Sequence, residues 1–268
     1  MPRLVVLFLL AALIAGCAND AQVIAPTAEP LLPIAEAAEI ATPTVSPSSL
    51  SAAVLPSPSP TPAGPTSIPT PTPRPVGVAP RVGLQVGHLN ASELPEELAR
   101  FRTSTGARYG DTSEAELNED IARRVQALLE AEGVAVDLLP ATIPPDYDAD
   151  AFVSIHADGS TSGAARGWKL ATPWRASQAS RQLAAAVAAT YGSATGLPED
   201  VGGVTINMRG YYAFNNRRHD HAIATTTPAI LIETGFMTSA TDREVLFGQP
   251  DRAARGISQG ILAYLAQR

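Results

Sequence analysis

The 268-residue chain has one cysteine, Cys17, so no intrachain disulfide can contribute to its stability. No apolar run reaches the roughly 20 residues that cross a bilayer. The longest, Leu4 to Gly16, follows Met1-Pro2-Arg3 and has the length and basic flank of a signal-peptide core. Basic residues are outnumbered, 19 against 26, and the net charge of −7 argues against a nucleic-acid partner. Aromatic residues are absent from residues 18–80, where 15 of the 24 prolines are found. No internal repeat is visible.

What is present divides the chain into three. Ile14-Ala15-Gly16-Cys17 resembles the lipobox of bacterial lipoproteins, with Ile14 where leucine is usual. Residues 1–17 are therefore expected to be a signal peptide with Cys17 lipid-modified, which holds the mature chain to a membrane outside the cytoplasm. An ordinary secretory signal with an incidental cysteine is the alternative. Residues 18–80, rich in Pro, Ser, Thr and Ala, cannot bury a core and are expected to form a disordered tether, extended by about 3 Å per residue where stiff. Within it, Leu31-Leu32-Pro33-Ile34 could be a short binding segment. Residues 81–268 are ample for a single domain, expected to be monomeric.

In that domain the short Val/Ile/Leu-rich runs 82–86, 134–139, 151–155 and 229–232 are bounded by Gly, Pro or charges, as buried parallel strands are. Helical spacing lies between them. Leu117, Ile121, Val125, Leu128 and Leu129 form one stripe over 114–132, stopped at Gly133. Residues 176–191 place Leu183, Val187 and Tyr191 in register, with Gly192 as the stop. Residues 250–267 put Ile257, Ile261, Leu262 and Leu265 on one face. The alternation predicts a single α/β domain, a twisted and mainly parallel sheet with helices on both faces.

Four polar residues sit where such a sheet presents ligands, at the carboxyl ends of strands and the start of the next helix. His88 closes the first run, His156 the third and Glu233 the last; Glu114 opens the first helix. Ser113 and Glu116 fit a capping box, so Glu116 has a structural role, and Glu119 and Asp120 fall off the apolar stripe. Glu114 lies on that stripe. There it either meets a partner such as a metal or frays outward to complement the helix dipole. His88, Glu114 and His156 form a set suited to one catalytic zinc ion with a fourth position left for water. Glu233, with no Lys or Arg near it in sequence, suits a general base.

Val86-Gly87-His88, Glu114, Ser154-Ile155-His156-Ala157 and Pro228-Ala229-Ile230-Leu231-Ile232-Glu233-Thr234-Gly235-Phe236, with Asp242 beyond, resemble the zinc-dependent N-acetylmuramoyl-L-alanine amidases. The resemblance spans about Arg81 to Arg268. It implies that His88, Glu114 and His156 bind zinc and that Glu233 is catalytic. It further implies a peptidoglycan substrate, cut between the lactyl group of N-acetylmuramic acid and L-alanine. Three departures concern the cleft rather than the ligands: Leu89-Asn90 after His88, the long 89–113 segment with Gly106-Ala107, and Asp158 where asparagine is usual.

Two features stand outside the motif. Arg217-Arg218-His219-Asp220-His221 offers His219 and His221 as a second metal pair, or simply an exposed charged segment. Arg217 or Arg218 could instead grip a substrate carboxylate, with Asp158 as a further substrate contact. Tyr211, Tyr212 and Phe214 could wall the site or belong to the core. Another zinc amidohydrolase or carboxypeptidase of the cell wall, and a non-catalytic wall-binding lipoprotein, are the competing functions.

Overall fold

The computed structural model describes residues 77–268; the expected signal peptide, Cys17 and nearly all of the expected tether fall outside the described residues. Seven strands form: β1 (Arg81–Val86), β2 (Arg108–Tyr109), β3 (Thr112–Ser113), β4 (Ala135–Leu139), β5 (Ala151–Asp158), β6 (Lys169–Ala171) and β7 (Ala229–Phe236). Five α-helices accompany them: α1 (Glu114–Ala131), α2 (Gln178–Thr195), α3 (Ile206–Arg209), α4 (Ala240–Leu246) and α5 (Pro250–Leu265). No described helix is long and apolar enough to cross a membrane.

The main sheet has the order β4-β1-β5-β7-β6, parallel except for β6, which runs antiparallel to β7 at one edge. This is the single α/β domain expected. Besides the helices α3 and α4, sequence reading missed two strand elements, both short. They are the β2–β3 hairpin, inside the long 89–113 segment, and β6, whose three residues are too few to show a period.

Alternation along each strand sorts side chains to two faces. Val82, Leu84 and Val86 of β1, Val153 and Ile155 of β5, and Ile230 and Ile232 of β7 face one way, into a cluster with α1, α2 and α5. The α1 stripe supplies Leu117, Ile121, Val125 and Leu129, each buried, at about 1.5–3 kcal/mol for each full burial. Helix α5 packs across both α1 and α2. The opposite face carries Phe152 and Ala229 and is covered by loops and short 3-10 helices, among them Glu96–Phe101 and Tyr212–Phe214. Helices flank both faces, and the long ones share one.

Helix α2 does not stop at Gly192. It runs to Thr195 and ends on Gly196, whose φ of 70° is the left-handed conformation glycine adopts most readily. Gly192 lies inside the helix against the Trp168 indole, where a Cβ would crowd the ring.

Candidate metal centre and catalytic cleft

Register places the cleft. Residues paired across parallel strands share a face, and His156 pairs with Glu233 across β5 and β7. Lys169 pairs with Glu233 from the other side, across β6 and β7. A row of His156, Glu233 and Lys169 thus crosses the sheet on the face opposite the long helices. Both strands run further than their apolar stretches, so His156 and Glu233 are strand residues rather than the first residues of loops. His88 lies just beyond β1 at φ 64°, a left-handed conformation that a non-glycine residue seldom adopts.

The capping box at the start of α1 forms as expected. The Glu116 amide donates to Ser113 Oγ at 3.3 Å, and the Ser113 amide donates to Glu116 Oε2 at 2.7 Å. This seats Glu114, buried, against the sheet edge. Its Oε1 lies 3.0 Å from His156 Nδ1 and 3.4 Å from His88 Nε2, and accepts from the Ala157 amide at 3.1 Å and the Asn118 amide group at 3.2 Å. Its Oε2 accepts from the Ala107 amide at 2.7 Å. Burial pushes the Glu114 carboxyl up, but hydrogen bonds and charge from His156 and His88 outweigh it and hold the group well below the usual carboxylate range.

His88, Glu114 and His156 each offer one ligand atom, all within 4.8 Å of one another. Ligands of a tetrahedral zinc ion, about 2.0–2.1 Å from the metal, stand roughly 3.4 Å apart, so the spacing fits the ion. The His88 Nδ1 atom lies 2.8 Å from the Ser104 carbonyl. Donation to that oxygen sets the tautomer that leaves Nε2 free as a ligand, a common outer-shell arrangement at zinc sites. Two glycines make room. A Cβ on Gly87 would meet the His156 ring at 2.5 Å, and one on Gly106 would strike the Glu114 carboxylate.

Glu233 is half-buried, with its Oε2 shielded and without a hydrogen-bond partner. Burial raises its pKa well above the ordinary value, and the nearby charges of Glu114 and Asp158 add to this; Lys169 opposes them. Lys169, the only lysine in the chain, is buried and ion-paired with Asp158, with Asp200 3.7 Å away and the Phe236 ring 4.8 Å below its ammonium group. The salt bridge draws the ammonium toward Asp158, and Glu233 keeps an unpaired oxygen facing the site. Asp242 is buried and structural, accepting from the amides of Gly167 and Phe236 at 2.7 and 2.8 Å.

The resulting cleft holds about 490 Å³ and is lined by His88, Arg108, Glu114, His156, Asp158 and Glu233, among others. Arg217 lines a second cavity instead, and Arg218 is exposed and lines neither. His219 and His221 lie in a turn, not on a strand, and both face Glu97, with His221 Nδ1 at 2.8 Å and His219 Nδ1 at 3.9 Å. Among the described residues only His88, Glu114 and His156 group as metal ligands, so the pair at 219 and 221 acts as a loop anchor. Tyr212 is core, bonded to Ala141 and Gln85, whereas the Tyr211 ring stands edge-on to His156 at 5.6 Å. Lys169, Arg108 and Ser104 carry no motif that would have marked them. Asn118 had a signal, four residues after Glu114 on the same helix face.

Residues 84–263 match the model of a family described as N-acetylmuramoyl-L-alanine amidase. Among solved structures, the chain is similar to the N-acetylmuramyl-L-alanine amidase Ami1 of Mycobacterium smegmatis, at 20% identity and TM-score 0.51, over 70% of this chain and 97% of that one. It is also similar to the apo form of Ami1 from Mycobacterium abscessus, at 23% identity and TM-score 0.51, over 70% and 100%. The CwlD amidase of Clostridioides difficile, solved in complex with the GerS lipoprotein, matches at 17% identity and TM-score 0.50, over 70% and 100%. At these identities the likenesses establish the fold. No curated protein matches the chain.

Proposed function

Since the chain belongs to the N-acetylmuramoyl-L-alanine amidase family and hydrolyses peptidoglycan, we propose that it does so with zinc held by His88, Glu114 and His156 and with Glu233 as the proton carrier. Bound there, zinc supplies a Lewis acid that lowers the pKa of a water molecule toward about 7 and polarises the scissile carbonyl. Glu233 takes the proton of the attacking water and delivers it to the departing amine of L-alanine, as one carboxyl group can do in sequence. Its burial and its unpaired Oε2 suit it to hold a proton between the two steps. Arg108 and Asp158 line the same cleft, where they are within reach of a bound substrate.

One observation carries this reading: three ligand atoms converge within 4.8 Å in a cleft that also holds Glu233, whose buried Oε2 has no hydrogen-bond partner. The test is incubation of the full-length protein with purified peptidoglycan, with and without a chelator, followed by mass spectrometry. Release of stem peptides with a free L-alanine amino group, lost with chelator and restored by zinc, is expected. Release unaffected by chelation would remove zinc from the mechanism.

For the remainder of the chain, we propose that residues 1–17 are cleaved as a signal peptide and that lipid on Cys17 anchors the mature protein outside the cytoplasm. Residues 18–80 would then tether a monomeric catalytic domain, 81–268, within reach of the wall. The Ile14-Ala15-Gly16-Cys17 pattern and the proline content support this. In a Cys17→Ser variant the protein should leave the membrane fraction or persist as uncleaved precursor. Unchanged fractionation and unchanged mass would show that Cys17 carries no anchor.

A further inference from the structure

The second cavity has the makings of an anion site. It holds about 400 Å³ and lies on the same sheet face as His156 and Glu233, toward the opposite strand end. Its rim includes Thr227, just before β7 begins, and Pro173 to Arg175, which follow β6 where Ala171 pairs with Leu231. From Thr227 to Glu233 the chain advances about 20 Å at strand rise. Tyr211 stands between the two sites, lining the cavity while its ring faces His156.

Charge is reversed here. The chain as a whole is acidic, at −7, yet Arg175, Arg209 and Arg217 line this cavity and no acidic residue does. Five arginines elsewhere, Arg81, Arg102, Arg123, Arg124 and Arg268, have carboxylate partners. Arg175, Arg209 and Arg217 have none among the described residues. Three guanidinium groups around one cavity, with no carboxylate in its lining, favour a bound anion. Beside them Trp174 is 61% exposed, with the Arg209 guanidinium 5.6 Å from its ring. An indole left in water at the mouth of a cavity is a platform for an apolar or sugar face.

We propose that this cavity binds a carboxylate of the cell-wall polymer, gripped by Arg175, Arg209 and Arg217, with the adjoining part of the ligand laid on Trp174. The proposal rests on the chain being a peptidoglycan amidase. That substrate presents carboxylates from two sources. A stem peptide ends in one, and each lactyl amide that is cut leaves one on the glycan. Either would hold the enzyme on the wall at a point separate from the bond being hydrolysed, which raises the effective concentration of substrate at the cleft.

The test is titration calorimetry on the full-length protein, metal-free and zinc-loaded. The ligands are a free stem tetrapeptide, a peptide-stripped glycan containing N-acetylmuramic acid, and inorganic phosphate. At least one of the two wall fragments should bind more tightly than phosphate, equally with and without zinc. The double variant Arg175→Gln/Arg217→Gln should weaken that binding about tenfold or more while circular dichroism shows an unchanged fold, since both side chains are exposed. Binding of the peptide alone identifies the stem as the source, and binding of the glycan alone identifies the freed lactyl group. Absence of binding, affinity no better than phosphate, dependence on zinc, or indifference to the arginine substitutions would each overturn the proposal. Cleavage of purified peptidoglycan by the same preparation is scored separately, so failure of the amidase assignment is distinguishable from failure of this site.

Discussion

His156 and Glu233 are direct neighbours in the register of β5 and β7, so the proposed zinc ligand and the proposed proton carrier stand side by side on one sheet face. The pairing separates their tasks: His156 turns Nδ1 to Glu114, while Glu233 keeps Oε2 free. Glu233→Gln should therefore retain zinc and fold but lose turnover by about 10²–10⁴, since glutamine keeps the shape and cannot accept a proton. Stem-peptide release at matched zinc content is the measurement. Loss of zinc instead would make Glu233 a ligand.

Two neighbours at the start of α1 should behave differently. Glu114 accepts hydrogen bonds from several groups and faces both histidines, whereas Glu116 closes the capping box in solvent. Glu114→Gln should weaken zinc binding strongly. Glu116→Gln should leave it unchanged, because glutamine still serves the box. Equal zinc loss in both variants would contradict the assigned helix face.

Gly87→Ala tests the packing behind the metal site. The added methyl group would strike the His156 ring, so the ring must turn away from Glu114. Zinc affinity should fall about 10–100-fold, the usual cost of disturbing what orients a ligand. The domain should remain folded, as judged by circular dichroism. Unchanged zinc affinity would show that His156 has more freedom than its surroundings suggest.

The Glu97 anchor predicts a pH effect away from the cleft. Its carboxylate accepts from the backbone amides of His221 and Asp220 and pairs with the His221 ring, which together lower its pKa from 4.5 to about 2. A carboxylate depressed in the folded state stabilises it fully above the unfolded pKa and loses that contribution as pH falls through the folded one. The window is therefore pH 4.5 down to about 2. In Glu97→Gln, chemical denaturation across that range should show a shallower loss of stability than wild type. Identical slopes would mean that the 217–221 turn is held by other contacts.

The sequence by itself determined the fold class, because buried parallel strands and amphipathic helices write their periods directly into the chain. It also marked the start of α1, since the capping box between Ser113 and Glu116 is local and reads the same in sequence and structure. It pointed to His88, Glu114, His156 and Glu233 as chemistry at strand and helix ends. Only the tertiary structure decided what surrounds them. Lys169 meets Glu233 through the antiparallel β6, a three-residue edge strand without a period of its own. The demand for glycine at Gly87 and Gly106 comes from rings and carboxylates distant in sequence. Arg217 and Arg218, adjacent in the chain, part at a turn, and only Arg217 reaches the second cavity. Local spacing records which residues share a helix face or strand face, whereas register and loop path decide which faces meet.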